Sequence, residues 1–206
     1  MPTSEVLPLF SQPVLVVDHQ DDPPNIDLLA KCKMYEYTSN SGGGGTNFTS
    51  DNKNILDLEE FSHIKENILT GLHEYTHNIM GWQNLDFYIT QSWLNVNPTE
   101  SSHHKHYHFN SLISGTYYLE TSDEDHIVFY DDHKPTLELN PAHCNIYNAN
   151  VYKVSIKTNT LVLFPSTLTH SVDENIAEWE RVSIAFNVFV RGKLGSEKHL
   201  TYLELK

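Results

Sequence analysis

Cysteine is scarce in this sequence, which has only Cys32 and Cys144 among its 206 residues. Two cysteines cannot build the disulfide framework that stabilises many small secreted domains. The N-terminal stretch MPTSEVLPLF also lacks the basic segment and the apolar core of an export signal. We therefore expect the protein to lie in a reducing cytoplasm.

Basic side chains are scarce as well, with 13 Lys and Arg against 27 Asp and Glu and a formal net charge of −14. An acidic chain repels a phosphate backbone, so we expect no nucleic-acid partner. Long apolar runs are missing too, because none reaches the roughly 20 residues that a membrane-spanning helix needs. We therefore expect no membrane partner.

The sequence does contain a series of short strand-like runs after residue 85, separated by proline and asparagine. This pattern is typical of a β-sandwich or jelly roll. Before them, apolar residues at steps of three and four predict an amphipathic helix that begins with a capping box at Asp57 and Glu60 and ends at Gly81. The predicted strands are Val14–Val17, Phe87–Val96, Ile113–Leu119, Ile127–Tyr130, Val151–Ile156, Leu161–Phe164 and Val182–Val190.

Two segments allow a functional interpretation that we do not favour. The run Thr38–Ser50 contains four successive glycines, and we interpret it as a mobile surface loop rather than a lid. The stretch HEYTH, from His73 to His77, matches the H-E-x-x-H zinc motif. On a helix, these histidines would point away from the apolar stripe and towards solvent. A zinc-dependent hydrolase is therefore the weaker alternative.

The densest cluster of candidate metal ligands lies in the stretch His103–Leu119, which reads HHKHYHFNSLISGTYYL. Side chains alternate between the two faces of a strand, so His104, His106 and His108 would share one face and His103, Lys105 and Tyr107 the other. Two imidazoles at positions i and i+2 can bind one metal ion. The alternative is a solvated histidine-rich loop, and the spacing alone does not separate the two.

A second candidate segment is LVLFPSTLTH, an apolar strand that leads to His170. Arg181 follows eleven residues later and Ser183 two after that, so both would share one face of a strand. A guanidinium beside a hydroxyl suits a carboxylate ligand, held by a charge-assisted fork and one further hydrogen bond. Taken singly, a surface position for His170 and a salt bridge for Arg181 are the simpler explanations.

Together, these segments resemble a known enzyme family. The ordered set HYH, SGTYYL, LVLFPSTLTHSV and RVSIAFNV, between Trp93 and Val190, is similar to 2-oxoglutarate- and Fe(II)-dependent oxygenases of bacteria and tailed phages. The resemblance implies an enzyme, a hydroxylase, that uses Fe(II), 2-oxoglutarate and molecular oxygen on a small molecule or a protein side chain. For a phage-encoded chain, the expected location is the host cytoplasm.

The resemblance also assigns residues. His106 and His170 match the two facial histidines that bind iron, and His108 stands where the wider superfamily has Asp or Glu. Arg181 and Ser183 match the pair that binds the distal carboxylate of 2-oxoglutarate. Two further residues are assigned to the lining of the cosubstrate site: Tyr118 and Asn187.

The histidine at position 108 leaves alternatives open. Three neutral imidazoles give the iron site one more positive charge than two imidazoles and a carboxylate, and the 2-oxoglutarate dianion would offset it. Alternatively, His108 is not the third ligand, and Asn110 or a carboxylate from Asp131 or Asp132 approaches the metal in its place. The alternative function from another class is a jelly-roll binding module in which the histidines are only structural.

The fold implied by the resemblance is mainly β, a double-stranded β-helix (a jelly roll) with N-terminal helices packed outside it. We expect a single domain over residues 1–206. Residues 1–85 would supply an N-terminal strand and helices, residues 86–192 the catalytic double-stranded β-helix, and residues 193–206 a C-terminal extension.

Overall fold

The computed structural model describes residues 5–22, 26–132, 137 and 140–206, and most of the regular structure in these ranges is β-strand. Across the described residues the strands form two antiparallel sheets, one of eight strands and one of four. The prediction of a mainly β fold is therefore confirmed. The strands are β1 (Leu15–Asp18), β2 (Tyr37–Ser39), β3 (Phe48–Ser50), β4 (Leu85–Asn97), β5 (His103–His106), β6 (Ile113–Glu120), β7 (His126–Tyr130), β8 (Val151–Ser155), β9 (Thr160–Pro165), β10 (His170–Val172), β11 (Arg181–Leu194) and β12 (Leu203–Leu205).

The order of the strands is that of a jelly roll. The larger sheet runs β1-β9-β6-β11-β4-β3-β2, with β12 paired to the end of β11, and the smaller sheet runs β5-β10-β7-β8. From β4 onwards the chain passes back and forth between the two sheets, so that sequence neighbours such as β5 and β6 lie in different sheets. This crossing brings residues that are far apart in sequence to the space between the sheets.

The central strands of the larger sheet, β6, β9 and the first half of β11, are buried on both faces. Between the two sheets, Val162 and Phe164 of the larger sheet pack with Ile127 and Phe129 of the smaller one. The other face of the larger sheet, with Phe186 at its centre, packs against the helices. Because both faces are covered, β9 reads as a continuous apolar run rather than an alternating one.

Two α-helices lie on the outer face of the larger sheet, α1 (Ile26–Cys32) and α2 (Ser62–His73). A π-helical turn, Glu74–Ile79, continues α2 as far as the end predicted at Gly81, where φ is +67°. Within the described ranges, no helix combines the length and the apolar character needed to cross a membrane. The predicted apolar stripe runs from Leu58 to Ile79. Five of its residues are buried, Phe61, Ile64, Ile68, Leu72 and Tyr75, whereas Leu58 is partly buried and Ile79 is exposed.

The predicted start of this helix is wrong. Asp57 belongs to a short 3-10 turn, the α-helix begins only at Ser62, and no side chain caps its first turn. The reason is that the backbone N–H of Leu56 donates to the hydroxyl of Ser92 in β4, at 2.9 Å, which ties this turn to the sheet. Asp57 instead pairs with Lys65 at 2.8 Å.

The prediction of a mobile loop over residues 38–50 is also wrong for much of that segment. Strands β2 and β3 pair with each other, and Phe48 of β3 lies opposite Val96 of β4, so the segment extends the larger sheet. The glycines occupy a 3-10 turn, Asn40–Gly43, that ends at Gly44 with φ of +85°. The fully buried Asn47 donates from its amide to Asn95, and this tertiary contact is invisible to a local sequence pattern.

Candidate metal centre and cosubstrate cavity

Three histidines converge at one end of the space between the sheets. His170 at the start of β10 is the cross-strand partner of His106 at the end of β5, and His108 follows two residues beyond. The backbone N–H of His108 donates to the carbonyl of Ser166 at 2.9 Å, which keeps the residue beside this strand pair. One ring nitrogen from each of the three histidines lies within 4.8 Å of the other two. Three ligands at this separation can reach a single metal ion.

Two of the three imidazoles are each oriented by a hydrogen bond to the backbone carbonyl two residues earlier. Nδ1 of His106 lies 2.8 Å from the carbonyl oxygen of His104, and Nδ1 of His170 lies 2.9 Å from that of Leu168. A carbonyl oxygen can only accept, so each Nδ1 carries the proton and each Nε2 keeps its lone pair. Both histidines are therefore held in the tautomer that binds a metal through Nε2.

Burial keeps the cluster uncharged. Desolvation, reinforced by the neighbouring histidines, lowers the pKa of His170 to about 2 and that of His108 to about 4. Desolvation also lowers the pKa of His106. Near neutral pH all three are free imidazoles, the form that binds metals. A set of neutral nitrogen donors fits a first-row divalent ion such as Fe(II).

The predicted alternation of faces along β5 is not kept. The pairing skips a residue between His106, opposite His170, and His103, opposite Val172, which marks a β-bulge. The bulge turns His103 to the side of His106, and their rings stack with centroids 4.6 Å apart. Nε2 of His103 also lies 3.1 Å from the amide nitrogen of Asn40, in the glycine-rich turn. This turn therefore lies next to the histidine cluster.

The HEYTH histidines lie elsewhere. His73 is exposed and His77 is partly buried, and their rings stack on the helix surface with centroids 4.3 Å apart. Nδ1 of His77 also makes a 2.8 Å contact with the hydroxyl of Thr76. In the described part of the chain, neither histidine belongs to a group of three or more side chains placed to share a metal ion.

The carboxylates considered as alternatives to His108 are not in the cluster either. Asp132 is exposed and contacts Lys105, at 3.2 Å, and the hydroxyl of Thr169. Asp131 is exposed. Among the described residues, the side chains placed to share a metal ion are all histidines, in the group His106, His108 and His170 and in the group His103, His104 and His106. Asn110 is an exposed turn residue with φ of +54°.

One narrow cavity is lined both by the three histidines and by Arg181, Ser183 and Tyr118. These last three residues belong to adjacent strands of the larger sheet. Ser183 lies opposite Tyr118 on one side and Asn95 on the other, and Arg181 lies opposite Asn97. Asn187 is on the same strand but is not part of the lining, and its amide oxygen accepts a hydrogen bond from Ser114 at 2.9 Å.

Arg181 is almost fully buried, at 2% exposure, and its charge is compensated by the protein itself. Its guanidinium donates to the carboxylate of Asp125, which is also 2% exposed, and to the carbonyl of Asp173 at 3.0 Å. Sequence reasoning missed Asp125, because nothing in the segment between β6 and β7 distinguishes it from its neighbours Asp123 and Glu124. Its burial is the result of tertiary packing.

The comparisons with known proteins agree with this geometry. Residues 91–187 match the family described as "Putative 2OG-Fe(II) oxygenase". A search of curated proteins finds no match to the chain. The family matched is the one that the sequence motifs resemble, so that prediction is confirmed.

Solved structures share the fold at low sequence identity. HygX from Streptomyces hygroscopicus, with nickel, 2-oxoglutarate and hygromycin B bound, is 11% identical with a TM-score of 0.58, over 86% of this chain and 82% of that one. A prolyl-4-hydroxylase from Pseudomonas putida is 15% identical with a TM-score of 0.57, over 86% and 93% of the two chains. The epimerase SnoN of nogalamycin biosynthesis is 11% identical with a TM-score of 0.63, over 86% and 78%. The double-stranded β-helix is therefore confirmed.

Proposed function

We propose that the chain hydroxylates a small molecule or a protein side chain, with Fe(II) and 2-oxoglutarate. The match of residues 91–187 to the family of 2OG-Fe(II) oxygenases supports this proposal. The observation that carries this proposal is one cavity lined by three neutral histidines and by a buried arginine. The histidines His106, His108 and His170 are the proposed iron ligands. Arg181 is the proposed partner of the far carboxylate of 2-oxoglutarate.

The neighbours of Arg181 complete the proposed cosubstrate site. Ser183 and Tyr118 lie side by side across the strand pair and both line the cavity, so their hydroxyls can donate to a carboxylate. Asp125 and the carbonyl of Asp173 hold the guanidinium in one orientation, which reduces the entropy lost when a ligand binds. Asn187 is not a proposed ligand of 2-oxoglutarate, because it lies outside the lining and its amide oxygen accepts from Ser114.

When bound, the iron and 2-oxoglutarate supply the oxidising power that lets dioxygen hydroxylate a C–H bond, with 2-oxoglutarate converted to succinate and CO2. The protein binds and orients the metal, the cosubstrate and the substrate, and it excludes water from the site. The rings of Phe164 and Phe129 pack against His170, with centroids 4.6 Å and 6.3 Å away, and exclude water from one side of the ligand cluster. The ring of Trp93 lies 6.2 Å from that of His108.

Hydroxylation of a C–H bond is the proposed reaction, because its oxidising power comes from the cosubstrate and dioxygen rather than from side chains of the protein. Among the described residues that line the cavity there is no Asp, Glu, Lys or Cys. The positioning of substrate and cosubstrate is then the main task of the lining.

We also propose that the chain forms a single domain, with the catalytic core expected over residues 86–192. The N-terminal strands support this, because β1 pairs with β9 and β3 pairs with β4 in the larger sheet. A cytoplasmic location remains part of the proposal and rests on the small number of cysteines.

The test is metal-dependent turnover. Purified protein is loaded with Fe(II) under anaerobic conditions and titrated with 2-oxoglutarate, and the visible charge-transfer band is followed. Oxygen is then added and succinate is measured. We expect saturable binding followed by slow release of succinate even without the substrate. A jelly-roll binding module would give no band and no succinate, and a hydrolase at the HEYTH helix would bind zinc at His73 and His77 instead.

A further inference from the structure

A second group of three histidines lies beside the candidate metal centre. His103, His104 and His106, here called the outer triad, each place one ring nitrogen within 4.8 Å of the other two. Their ring centroids form a nearly equilateral triangle with sides of 5.1, 4.6 and 4.9 Å. The centroids of His106, His108 and His170, the inner triad, are 4.4 to 5.2 Å apart. The outer triad therefore has the same type of ligand at similar spacing.

One ring nitrogen of the outer triad has no partner. Nδ1 of His104 is buried and makes no hydrogen bond with the described residues. Buried polar atoms are usually paired, because an unpaired one reduces stability. Gly45 lies next to this nitrogen, since a β-carbon at position 45 would come within 3.2 Å of it. With the ring proton on Nε2, Nδ1 has a lone pair for a metal ion, and glycine leaves space beside it.

His106 belongs to both triads but can serve only one of them at a time. Its Nδ1 donates to the carbonyl of His104 at 2.8 Å, so Nε2 is the ring nitrogen that remains for a metal ion. One lone pair binds one ion. An ion at the outer triad therefore excludes an ion at the inner triad, and the reverse also holds.

The two triads differ in their access to solvent and in the competition for their nitrogens. All three outer histidines are partly exposed, whereas His170 of the inner triad is 5% exposed. The side-chain amide of Asn40 donates to Nε2 of His103 at 3.1 Å, so a metal ion on this nitrogen must replace a hydrogen bond. We therefore expect the outer triad to be more accessible and to bind metal less tightly.

We propose that the outer triad is a second metal position, which binds a divalent ion on its way to the inner triad. This inference rests on the proposed function, in which the inner triad is the final iron site. His103, His104 and His106 bind the hydrated ion first. His108 and His170 then replace His103 and His104, while His106 stays bound. Two metal–nitrogen bonds break and two form, and the ion keeps its oxidation state.

The first experiment isolates the outer triad in the full-length protein. His108→Ala/His170→Ala is titrated with Co(II), whose visible absorption reports on its ligands. We expect one Co(II) per chain, bound about 10-fold or more weakly than by the wild type. Addition of His104→Gln to this variant should weaken binding about 10-fold further. His143→Gln in the same background is the control, because His143 is exposed, and it should leave the affinity unchanged.

Asn40→Ala tests the outer triad without removal of any of its histidines. In the His108→Ala/His170→Ala background, this change frees Nε2 of His103 from its hydrogen bond. Co(II) should then bind more tightly than in the parent variant. Unchanged or weaker binding would remove His103 from the site and overturn the inference.

The rate of metal loading tests the inference with the inner triad intact. Stopped-flow mixing of the metal-free wild type with Co(II) should show a fast phase that depends on Co(II) concentration and a slower phase that does not. His104→Gln should lack the fast phase and still reach one Co(II) per chain. A single phase that His104→Gln leaves unaltered, or no Co(II) binding by His108→Ala/His170→Ala, would overturn the inference and leave the proposed function intact. A wild type that binds neither Co(II) nor Fe(II) would overturn both.

Discussion

His106 and His170 are direct cross-strand partners in the β5–β10 pair, although they lie in separate segments of the sequence. Each donates its Nδ1 proton to the carbonyl oxygen two residues before it. The pairing places the two ring centroids 4.4 Å apart. Because Nδ1 of each ring donates to a backbone carbonyl, Nε2 is the ring nitrogen that keeps its lone pair for a metal ion. The strand register and these two hydrogen bonds together define the candidate metal centre.

Removal of a histidine from this pair should weaken metal binding. His170→Ala and His106→Ala each leave two of three ligands, and we expect each variant to lose at least 10-fold in Fe(II) affinity, about 1.4 kcal/mol. The measurement is iron content after anaerobic loading and gel filtration. His73→Ala/His77→Ala is the control and should retain the wild-type content. A loss of iron in this control would place the metal at the HEYTH helix.

The proposed role of His108 as the third iron ligand can be tested by replacing its imidazole with a carboxylate or a methyl group. His108→Asp replaces the neutral imidazole with the carboxylate found at this place in the wider superfamily, and we expect it to retain one Fe(II) per chain. His108→Ala should lose much of the bound iron. Both variants are compared by anaerobic iron titration. If His108→Ala binds iron as tightly as the wild type, His108 is not a ligand.

Arg181→Ala should affect binding and stability together. The variant removes a guanidinium from the proposed carboxylate site and leaves Asp125 buried without its partner. We expect 2-oxoglutarate affinity to fall about 10–100-fold and the free energy of unfolding to fall by about 3–5 kcal/mol. Arg181→Lys should recover part of the affinity, because a point charge does not reproduce the fork.

The two effects are separated with Asp125→Ala/Arg181→Ala. Chemical denaturation should show that the second change restores part of the stability, because the unpaired buried carboxylate is gone. Calorimetric titration should show that 2-oxoglutarate binding stays weak. Wild-type affinity in Arg181→Ala would remove Arg181 from the cosubstrate site.

The metal-free protein should lose stability in mild acid. Burial lowers the pKa of His108 to about 4 and that of His170 to about 2, from an ordinary value of 6.5. The unfolded chain therefore takes up protons near pH 6.5 while the folded chain does not, so stability is full above that pH and falls as the pH drops towards 4. At pH 5 each histidine should cost about 1–2 kcal/mol.

Chemical denaturation of the metal-free protein at pH 7.5 and pH 5 measures this effect. His170→Gln removes one titrating group and should show a smaller decrease between the two pH values than the wild type. An equal decrease in wild type and His170→Gln would mean that the buried imidazole is not the source of the pH dependence.

The repeating patterns of the sequence predicted much of the fold. The strands of the jelly roll were predicted from short apolar runs, and the buried stripe of α2 from apolar residues at helical spacing. Both patterns involve residues that are close together in the sequence. The turns at Ile55–Leu56 and the pairing of β2 with β3 were missed, because they depend on distant contacts such as Leu56 with Ser92.

The sequence also predicted part of the candidate site, namely the residues that belong to recognisable motifs. Motif spacing pointed to the histidines and to Arg181, and the structure brings these side chains to one cavity. The partner of Arg181 and the bulge that turns His103 inwards arise from packing between strands. No local pattern encodes them.

The most direct test of the account is a crystal structure of the protein grown anaerobically with Fe(II) and 2-oxoglutarate. We predict one iron ion in the cavity, bound by a ring nitrogen of His106, His108 and His170 at about 2.1 Å, close to the zinc–imidazole distance. The distal carboxylate of 2-oxoglutarate should contact Arg181. An ion bound at His73 and His77, or 2-oxoglutarate bound away from Arg181, would contradict the account.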